Sequence, residues 1–180
     1  CRAEYGLSFH IDTGESFLLF DTGQSDLFLT NARQLGVDLS QLDAVVLSHG
    51  HYDHGNGLKH LSSKRLICHP DCFIERYGVS RNGDSRYIGL NIDQKTAAQK
   101  FELNLTKEPY WIDSITCFLG EIPRYIDFES TTSTFYCGES KQKDDVLDDS
   151  ALAIKTSKGL VVVTGCSHSG ICNIVEYACK

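Results

Sequence analysis

The pattern of apolar and polar residues predicts that the chain begins with a β-hairpin. Apolar and polar side chains alternate over residues 6–11, a turn-forming segment follows at 12–15, and an apolar strand occupies 16–20. Alternation with a period of two is typical of a strand that buries one face. The first two elements are therefore predicted to be neighbouring antiparallel strands.

A helix and a buried strand are predicted next. Apolar side chains within residues 26–35 recur at the spacing of one helical face, and Gly36 follows where a glycine commonly ends a helix. The apolar segment 44–47 has the composition of a buried strand. The order strand, strand, helix, strand favours an α/β sandwich in which loops gather at the strand ends.

The rest of the chain predicts further short elements. These are a short helix at 58–61, a strand at 65–68, a helix at 70–77, β structure over 111–119 and a polar surface loop over 139–145. Residues 151–156 and 160–164 form a second predicted hairpin. A helix follows, in which apolar residues recur from Ile171 to Ala178. The segment 165–170 therefore lies between a buried strand and an amphipathic helix.

Chain length and charge limit the classes of function. The 180 residues, of which 41% are hydrophobic, suit a single domain with its own core over residues 1–180. The formal net charge of −7 disfavours a groove that binds nucleic acid, so we expect a small anionic substrate instead.

Other features of the sequence favour the cytoplasm. No signal peptide is evident, and no apolar run approaches the roughly 20 residues that cross a bilayer. The eight cysteines are irregularly spaced, which is more typical of reduced thiols than of a disulfide framework. Because the chain begins with Cys1 and contains no methionine, we expect it to be either a truncated form or a sequence from which residues are missing.

The segment 49–54 is the strongest chemical signal in the chain. It places His49, His51, Asp53 and His54 directly after the buried strand, with glycines between and after them. Imidazole and carboxylate groups are ligands for zinc and similar divalent cations, and glycines permit the tight turns that bring such groups together. Isolated histidines are commonly structural, but the coincidence of spacing, strand and glycines favours a metal site.

Further candidates lie elsewhere in the chain, each with two interpretations. His168, in a glycine-bounded loop after the second hairpin, is either a metal ligand or a packed polar residue. Cys166 is either a thiolate ligand or an inert thiol. Arg124 either captures a phosphate through paired hydrogen bonds or forms a surface ion pair. Asp148 and Asp149 are either hydrogen-bond partners of the ligands or part of a solvated loop.

Two Asp-Thr-Gly segments, at Asp12 and Asp21, invite comparison with aspartic proteases. That chemistry needs two carboxylates that share one proton. These two aspartates are instead predicted at a hairpin tip and at the end of its second strand. We therefore reject the protease hypothesis and interpret Asp12 as a turn residue.

The segment 49–55 resembles the signature of the metallo-β-lactamase superfamily. Segments 20–25, 120–124 and 165–170 are similar to one branch of its metal-dependent hydrolases, which includes the archaeal dihydropterin-ribofuranosylaminobenzene 5′-phosphate synthases. The resemblance extends along nearly all of the chain. It implies an α/β fold of the αββα sandwich type, and it implies that Asp21 accepts hydrogen bonds beneath the ligand loop.

The resemblance also implies a dinuclear centre. His49 and His51 would hold one ion, Asp53 and His54 the other, and His168 would join the first or bridge the shell between them. The implied cofactors are two divalent ions, Zn²⁺ in preference to Mn²⁺ or Fe²⁺, because a histidine at position 51 favours hydrolysis over redox chemistry. Asp53 would also orient a metal-bound hydroxide that attacks the substrate.

One part of the pattern is not matched. Cys166 lies where many relatives carry a bridging aspartate, and relatives usually supply another histidine beyond this loop. Since the chain ends at Lys180, we expect the fold to be incomplete at its C-terminus.

Three functions remain open on the sequence. The first is a dizinc hydrolase acting on a small phosphoester or related anionic metabolite. The second is a pterin-pathway synthase, which catalyses a transfer, and the third is a non-catalytic metal-binding domain. The amount of bound metal and the reaction catalysed would separate them.

Overall fold

A computed structural model describes residues 1–62, 64–80, 82–126, 128–129, 134–138 and 142–180. The polar loop predicted over 139–145 lies partly outside the described residues, which resume at 142. The strands are β1 (Phe9–Asp12), β2 (Phe17–Phe20), β3 (Ala44–Val46), β4 (Arg65–Cys68), β5 (Arg76–Val79), β6 (Ser85–Tyr87), β7 (Glu102–Leu105), β8 (Tyr110–Trp111), β9 (Thr116–Phe118), β10 (Phe135–Cys137), β11 (Gln142–Lys143), β12 (Ala151–Thr156) and β13 (Gly159–Thr164).

Helices connect and cover these strands. The α-helices are α1 (Leu27–Leu35), α2 (Tyr52–Gly55), α3 (Gln94–Lys100) and α4 (Ile171–Ala178), and 3₁₀ turns occupy Leu39–Gln41, Asn56–His60 and Pro70–Phe73. None of the helices in the described part of the chain is long and apolar enough to cross a membrane.

The strands form three sheets. The first has the order β1-β2-β3-β4-β7 and is parallel except for the β1–β2 hairpin. The second, β11-β10-β5-β6, and the third, β13-β12-β9-β8, are antiparallel. The parallel strands of the first sheet bring their carboxyl ends to one edge, which is where loops can meet.

The first sheet is buried on both faces because its side chains alternate between two cores. Leu19 and Val45 point to one face, where they pack with Phe28 of α1 and Ala97 of α3. The intervening residues of the first sheet point to the other face, where they pack with apolar residues of β9 and β12. These first-sheet residues are Leu18, Phe20, Ala44, Val46 and Ile67. A strand covered on both sides must be apolar throughout, which explains the continuous runs in β2 and β3.

A third core completes the layers. Cys117 of β9 and Ala153 of β12 pack against Ile174 of α4 on the outer face of the third sheet. The order of layers is therefore helix, sheet, sheet, helix. This arrangement confirms the αββα sandwich.

Most of the elements predicted from local periodicity are confirmed. The first hairpin pairs Phe9 with Phe20, and α1 ends at Gly36, whose φ of 71° suits the left-handed conformation of a helix C-cap. The second hairpin pairs Ala151 with Thr164, and α4 follows where predicted.

The helix predicted over 70–77 is wrong. Only a 3₁₀ turn, Pro70–Phe73, forms there, and the chain then enters β5, which is paired on both sides by β6 and β10. Strand pairing and burial of the Arg76 side chain override the local helical signal. The short helix predicted at 58–61 is a 3₁₀ turn instead.

The central strand β4 offers a test of this layered core. Leu66 is completely buried, whereas Leu35 at the end of α1 is 68% exposed. We expect Leu66→Ala to lower the free energy of unfolding by about 2–5 kcal/mol, because it leaves a cavity between two packed layers. The matched variant Leu35→Ala should change it by less than about 0.5 kcal/mol. Urea unfolding of both variants checks this, and equal effects would contradict the layer assignment.

Candidate metal centre

The first ligand loop leaves β3 at the carboxyl edge of the parallel sheet. His51 has an extended backbone and immediately precedes α2, so the chain turns sharply between His49 and His54. All three histidines are buried. A Cβ at Gly50 would lie 2.0 Å from the carbonyl oxygen of Cys72, so only glycine fits between the first two ligands.

The second ligand loop leaves β13 and ends at α4. Ser167 adopts a φ of 56°, which is unusual for a residue other than glycine, and its carbonyl oxygen accepts a hydrogen bond from the Gly170 N–H at 2.9 Å. This tight turn projects His168 toward the first loop. The two loops come from different sheets and meet across the sandwich.

Three imidazoles converge where the loops meet. His49, His51 and His168 each offer a ring nitrogen, and these atoms lie within 4.8 Å of one another. His49 Nε2 is 3.0 Å from His51 Nδ1, and the His168 ring centroid lies 4.8 Å from that of His49. We call these three side chains the imidazole cluster.

A second group adjoins the cluster. His54 Nε2 lies 3.1 Å from the sulfur of Cys166, and His49, His54 and Cys166 also offer ligand atoms within 4.8 Å of one another. Asp53 is partly exposed, and one of its carboxylate oxygens is 3.9 Å from His54 Nε2. The structure thus brings together five side chains that could ligate metal, with Asp53 at their edge.

Asp21 orients two of the histidines. Its carboxylate accepts hydrogen bonds from the Ser48 N–H and hydroxyl, both at 2.7 Å, and lies 2.7 Å from His54 Nδ1. Because the Ser48 hydroxyl donates its single proton to Asp21, its oxygen accepts from His49 Nδ1 at 2.9 Å. The protons on both Nδ1 atoms are thereby set, and each Nε2 faces the other candidate ligands.

The imidazole cluster is electrically neutral. Burial, together with neighbouring cationic groups, lowers the pKa of His51 to about 2 and that of His168 to about 4. The same causes hold the pKa of His49 well below its usual range. Neutral imidazoles keep a nitrogen lone pair free, which is the state that binds metal ions.

His54 behaves differently. Burial alone would lower its pKa, but hydrogen bonds with Asp21 and Cys166 outweigh burial and raise the pKa to about 10. A cation at Nε2 would replace the proton shared with Cys166, while Nδ1 would keep its bond to Asp21.

The residues present fit a metal ion. Among the described residues, Nε2 of His51 and Nε2 of His168 are buried and have no hydrogen-bond partner. Buried polar atoms are rarely left unpaired, so a cation among these rings would relieve their desolvation. Ser48 occupies Nδ1 of His49, so only Nε2, which lies 3.0 Å from His51 Nδ1, faces the candidate ligands, and His49 can serve only one of two ions.

Arg124 has a main-chain role. Its guanidinium donates to the carbonyl oxygens of Asp145 and Val146. The nearby Glu121 carboxylate approaches His69 and Lys107 rather than Arg124. No contact within the described residues joins Arg124 to the imidazole cluster, so its role in substrate binding stays a prediction.

Three buried residues near the first loop were missed or left undecided from the sequence. The sequence pattern predicts that Arg76 lies in a helix, yet Arg76 lies in β5 and its guanidinium binds Asp144 and Asp148 in the interior. Asp148 and Asp149 are completely buried, which excludes the solvated loop. In the sequence Asp148 and Asp149 lie next to an apolar strand, which is consistent with burial. This position does not indicate which side chains they bind.

Comparison with known proteins supports the same family. Residues 2–69 match the model of the metallo-β-lactamase superfamily. An uncharacterized protein of Methanocaldococcus jannaschii is 36% identical over 99% of this chain and 68% of its own length. The 7,8-dihydropterin-6-methyl-4-(β-D-ribofuranosyl)-aminobenzene-5′-phosphate synthase of the same organism is 31% identical over 99% of this chain and 66% of its own length.

A solved structure gives a similar result. The crystal structure of a metal-dependent hydrolase of the β-lactamase superfamily superposes with a TM-score of 0.82 and 35% identity, covering 97% of this chain and 64% of the other. The chain thus spans about two thirds of the length of these relatives. The shared sequence, the αββα layers and the converging histidines establish that the chain belongs to the metallo-β-lactamase superfamily.

Proposed function

We propose that the protein is a metal-dependent hydrolase with a dinuclear centre, acting on a small phosphoester or related anionic metabolite. The observation that carries this proposal is the convergence of buried and half-buried neutral imidazoles from two loops, with two buried ring nitrogens that have no partner among the described residues. Buried unpaired nitrogens are costly unless a ligand meets them.

The side chains divide into two subsites. In the proposal His49, His51 and His168 hold one ion, and His54, Cys166 and Asp53 hold the other, because His49 can serve only one subsite. Bound divalent ions supply Lewis acidity and lower the pKa of a bound water. Asp53, which is partly exposed at the edge of the set, lies where its carboxylate can hold a proton or orient a nucleophile.

Zinc suits this donor set best. A thiolate beside imidazoles is a soft combination that zinc accepts and that Mg²⁺ or Mn²⁺ disfavours. The small anionic substrate, the absence of a nucleic-acid partner and a cytoplasmic location belong to the same proposal. The net charge of −7 supports the first two, since the cationic centre would then be the main attraction for an anion.

A pterin-pathway synthase is the second candidate. It is favoured by 31% identity over 99% of this chain with the archaeal synthase. A transfer reaction could use the same ligands, because the metal-binding side chains do not determine whether water or another molecule accepts the transferred group. A non-catalytic metal-binding domain is the third candidate, and it would bind ions without turnover.

The metal content of the purified chain tests the centre. We expect about two ions per chain for the wild type, and a large drop for His51→Ala because a ligand of the imidazole cluster is lost. His60→Ala, which removes an exposed histidine outside the cluster, is the matched control and should keep the wild-type content. Elemental analysis measures the metal content. Equal metal in all three chains would show that His51 is not a metal ligand.

Turnover separates the three functions. The zinc-loaded chain should hydrolyse a chromogenic phosphodiester, and chelation or His51→Ala should reduce the rate by at least about 100-fold. A pterin-condensation assay under the same conditions tests the synthase. Activity in the pterin-condensation assay alone would support the synthase in place of the hydrolase. Metal binding without activity in either assay would favour the non-catalytic domain.

Cys166 can be tested by spectroscopy. Substituting Co²⁺ for zinc should give a sulfur-to-cobalt charge-transfer band in the near ultraviolet, because a thiolate binds the ion directly. Cys166→Ser should abolish this band, whereas Cys172→Ser, which alters an exposed thiol on α4, should leave it unchanged. A band that survives Cys166→Ser would exclude this thiol as a ligand.

A further inference from the structure

A buried ion-pair network lies directly behind the first ligand loop. The Arg76 side chain is 1% exposed, and its guanidinium donates from Nε to Asp144 at 2.7 Å and from Nη1 and Nη2 to Asp148 at 2.8 and 2.5 Å. Asp148 is completely buried. The paired geometry fixes the orientation of the Asp148 carboxylate, because the planar guanidinium fork holds both of its oxygens.

The network touches the peptide between two candidate ligands. The N–H of Gly50, which separates His49 from His51, donates to Asp148 Oδ2 at 2.8 Å. A Cβ at position 50 would lie 2.6 Å from Arg76 Nη1, so the guanidinium packs against this glycine. The spacing of the two imidazoles therefore depends on a peptide that Asp148 and Arg76 hold.

The residues that follow Asp148 bind both ligand loops. The Ser150 N–H donates to the carbonyl oxygen of Ser48 at 2.8 Å, which anchors the residue before His49. Asp149 Oδ2 accepts from the Ser169 N–H at 2.9 Å, next to His168. The segment 148–150 thus connects the two loops that meet at the imidazole cluster.

Stability of the fold does not by itself require this arrangement. A buried ion pair stabilises a protein little or not at all relative to apolar residues, since desolvation opposes the attraction. Within this network two carboxylates face one guanidinium, so the network carries one excess negative charge. A nearby cation would compensate that charge, and an oriented carboxylate is useful where ligands must be held at fixed spacing.

We propose that Asp148, held by Arg76, is a positioning residue of the metal centre that sets the spacing of His49 and His51 through the Gly50 peptide. This inference rests on the metal centre proposed above. Asp148 acts through the backbone, because both of its oxygens are already engaged by Arg76 and Gly50.

Two isosteric variants test the proposal. Asp148→Asn replaces one acceptor oxygen by an NH₂ group. At the Oδ1 position this group faces Arg76 Nη2 and breaks the paired geometry, and at the Oδ2 position it faces both Arg76 Nη1 and the Gly50 N–H, so either orientation loosens the hold on the Gly50 peptide. Asp144→Asn removes the same charge from the same guanidinium, but the Asp144 side chain bonds only to Arg76 and to the Val146 N–H among the described residues. Comparison of the two separates the loss of a charge beside Arg76 from the loss of the oriented carboxylate that holds the ligand loop.

We expect Asp148→Asn to weaken zinc affinity by about 10–100-fold, whereas Asp144→Asn should weaken it by less than about threefold. Competition with a chromophoric chelator, well below the unfolding temperature of each variant, measures the affinity. The Co²⁺ spectrum should also change shape in Asp148→Asn, since the ligand geometry is altered, and a role in stability alone would not alter it. Thermal unfolding should show a similar loss of stability in both variants.

The outcomes are distinguishable. Equal zinc affinities in Asp148→Asn and Asp144→Asn would overturn the positioning role, as would wild-type affinity in Asp148→Asn. If Asp148→Asn does not fold, Arg76→Lys replaces it, because an ammonium cannot hold both Asp148 oxygens in the paired geometry. Wild-type affinity in that variant would likewise overturn the inference. Failure of the wild-type chain to bind zinc would instead refute the metal centre itself.

Discussion

The hydrogen bonds of the Asp21 carboxylate are the interaction on which the centre depends. This carboxylate is fully buried, at the end of β2, and it holds Ser48 and His54 on the neighbouring loop. Its backbone adopts a φ of 58°, an unfavourable conformation that directs the carboxylate beneath the ligands. Without it, the proton positions on His49 and His54 would be undetermined, and neither Nε2 would be reserved for a cation.

The layered fold explains why distant ligands meet. Parallel strands deliver the first loop at one edge of a sheet that is apolar on both faces, and the third sheet packs on that sheet through Phe118 and Leu152. The second loop leaves β13, in the third sheet, near the same edge. Core packing therefore sets the separation of the two sheets. It also fixes the relative positions of the two ligand loops, and hence the ligand geometry.

Local patterns in the sequence predicted those parts of the structure that depend on local contacts. Alternation and helical spacing identified both hairpins, α1 and α4, and the clustered motif identified His49, His51 and His54. Arg76 was misassigned because its environment is made by Asp144 and Asp148, which lie 68 and 72 positions away along the chain. Periodicity carries no information about such partners, and the same reason left the surroundings of Arg124 undetermined.

The separation of the ligands along the chain has a thermodynamic consequence. His54 and Cys166 are 112 positions apart and belong to loops from different sheets. An ion coordinated by both would act as a crosslink, which reduces the entropy of the unfolded chain as a covalent bridge of similar span does. Occupancy and folding would then be linked equilibria, so that the sandwich is most resistant to unfolding when the centre is filled.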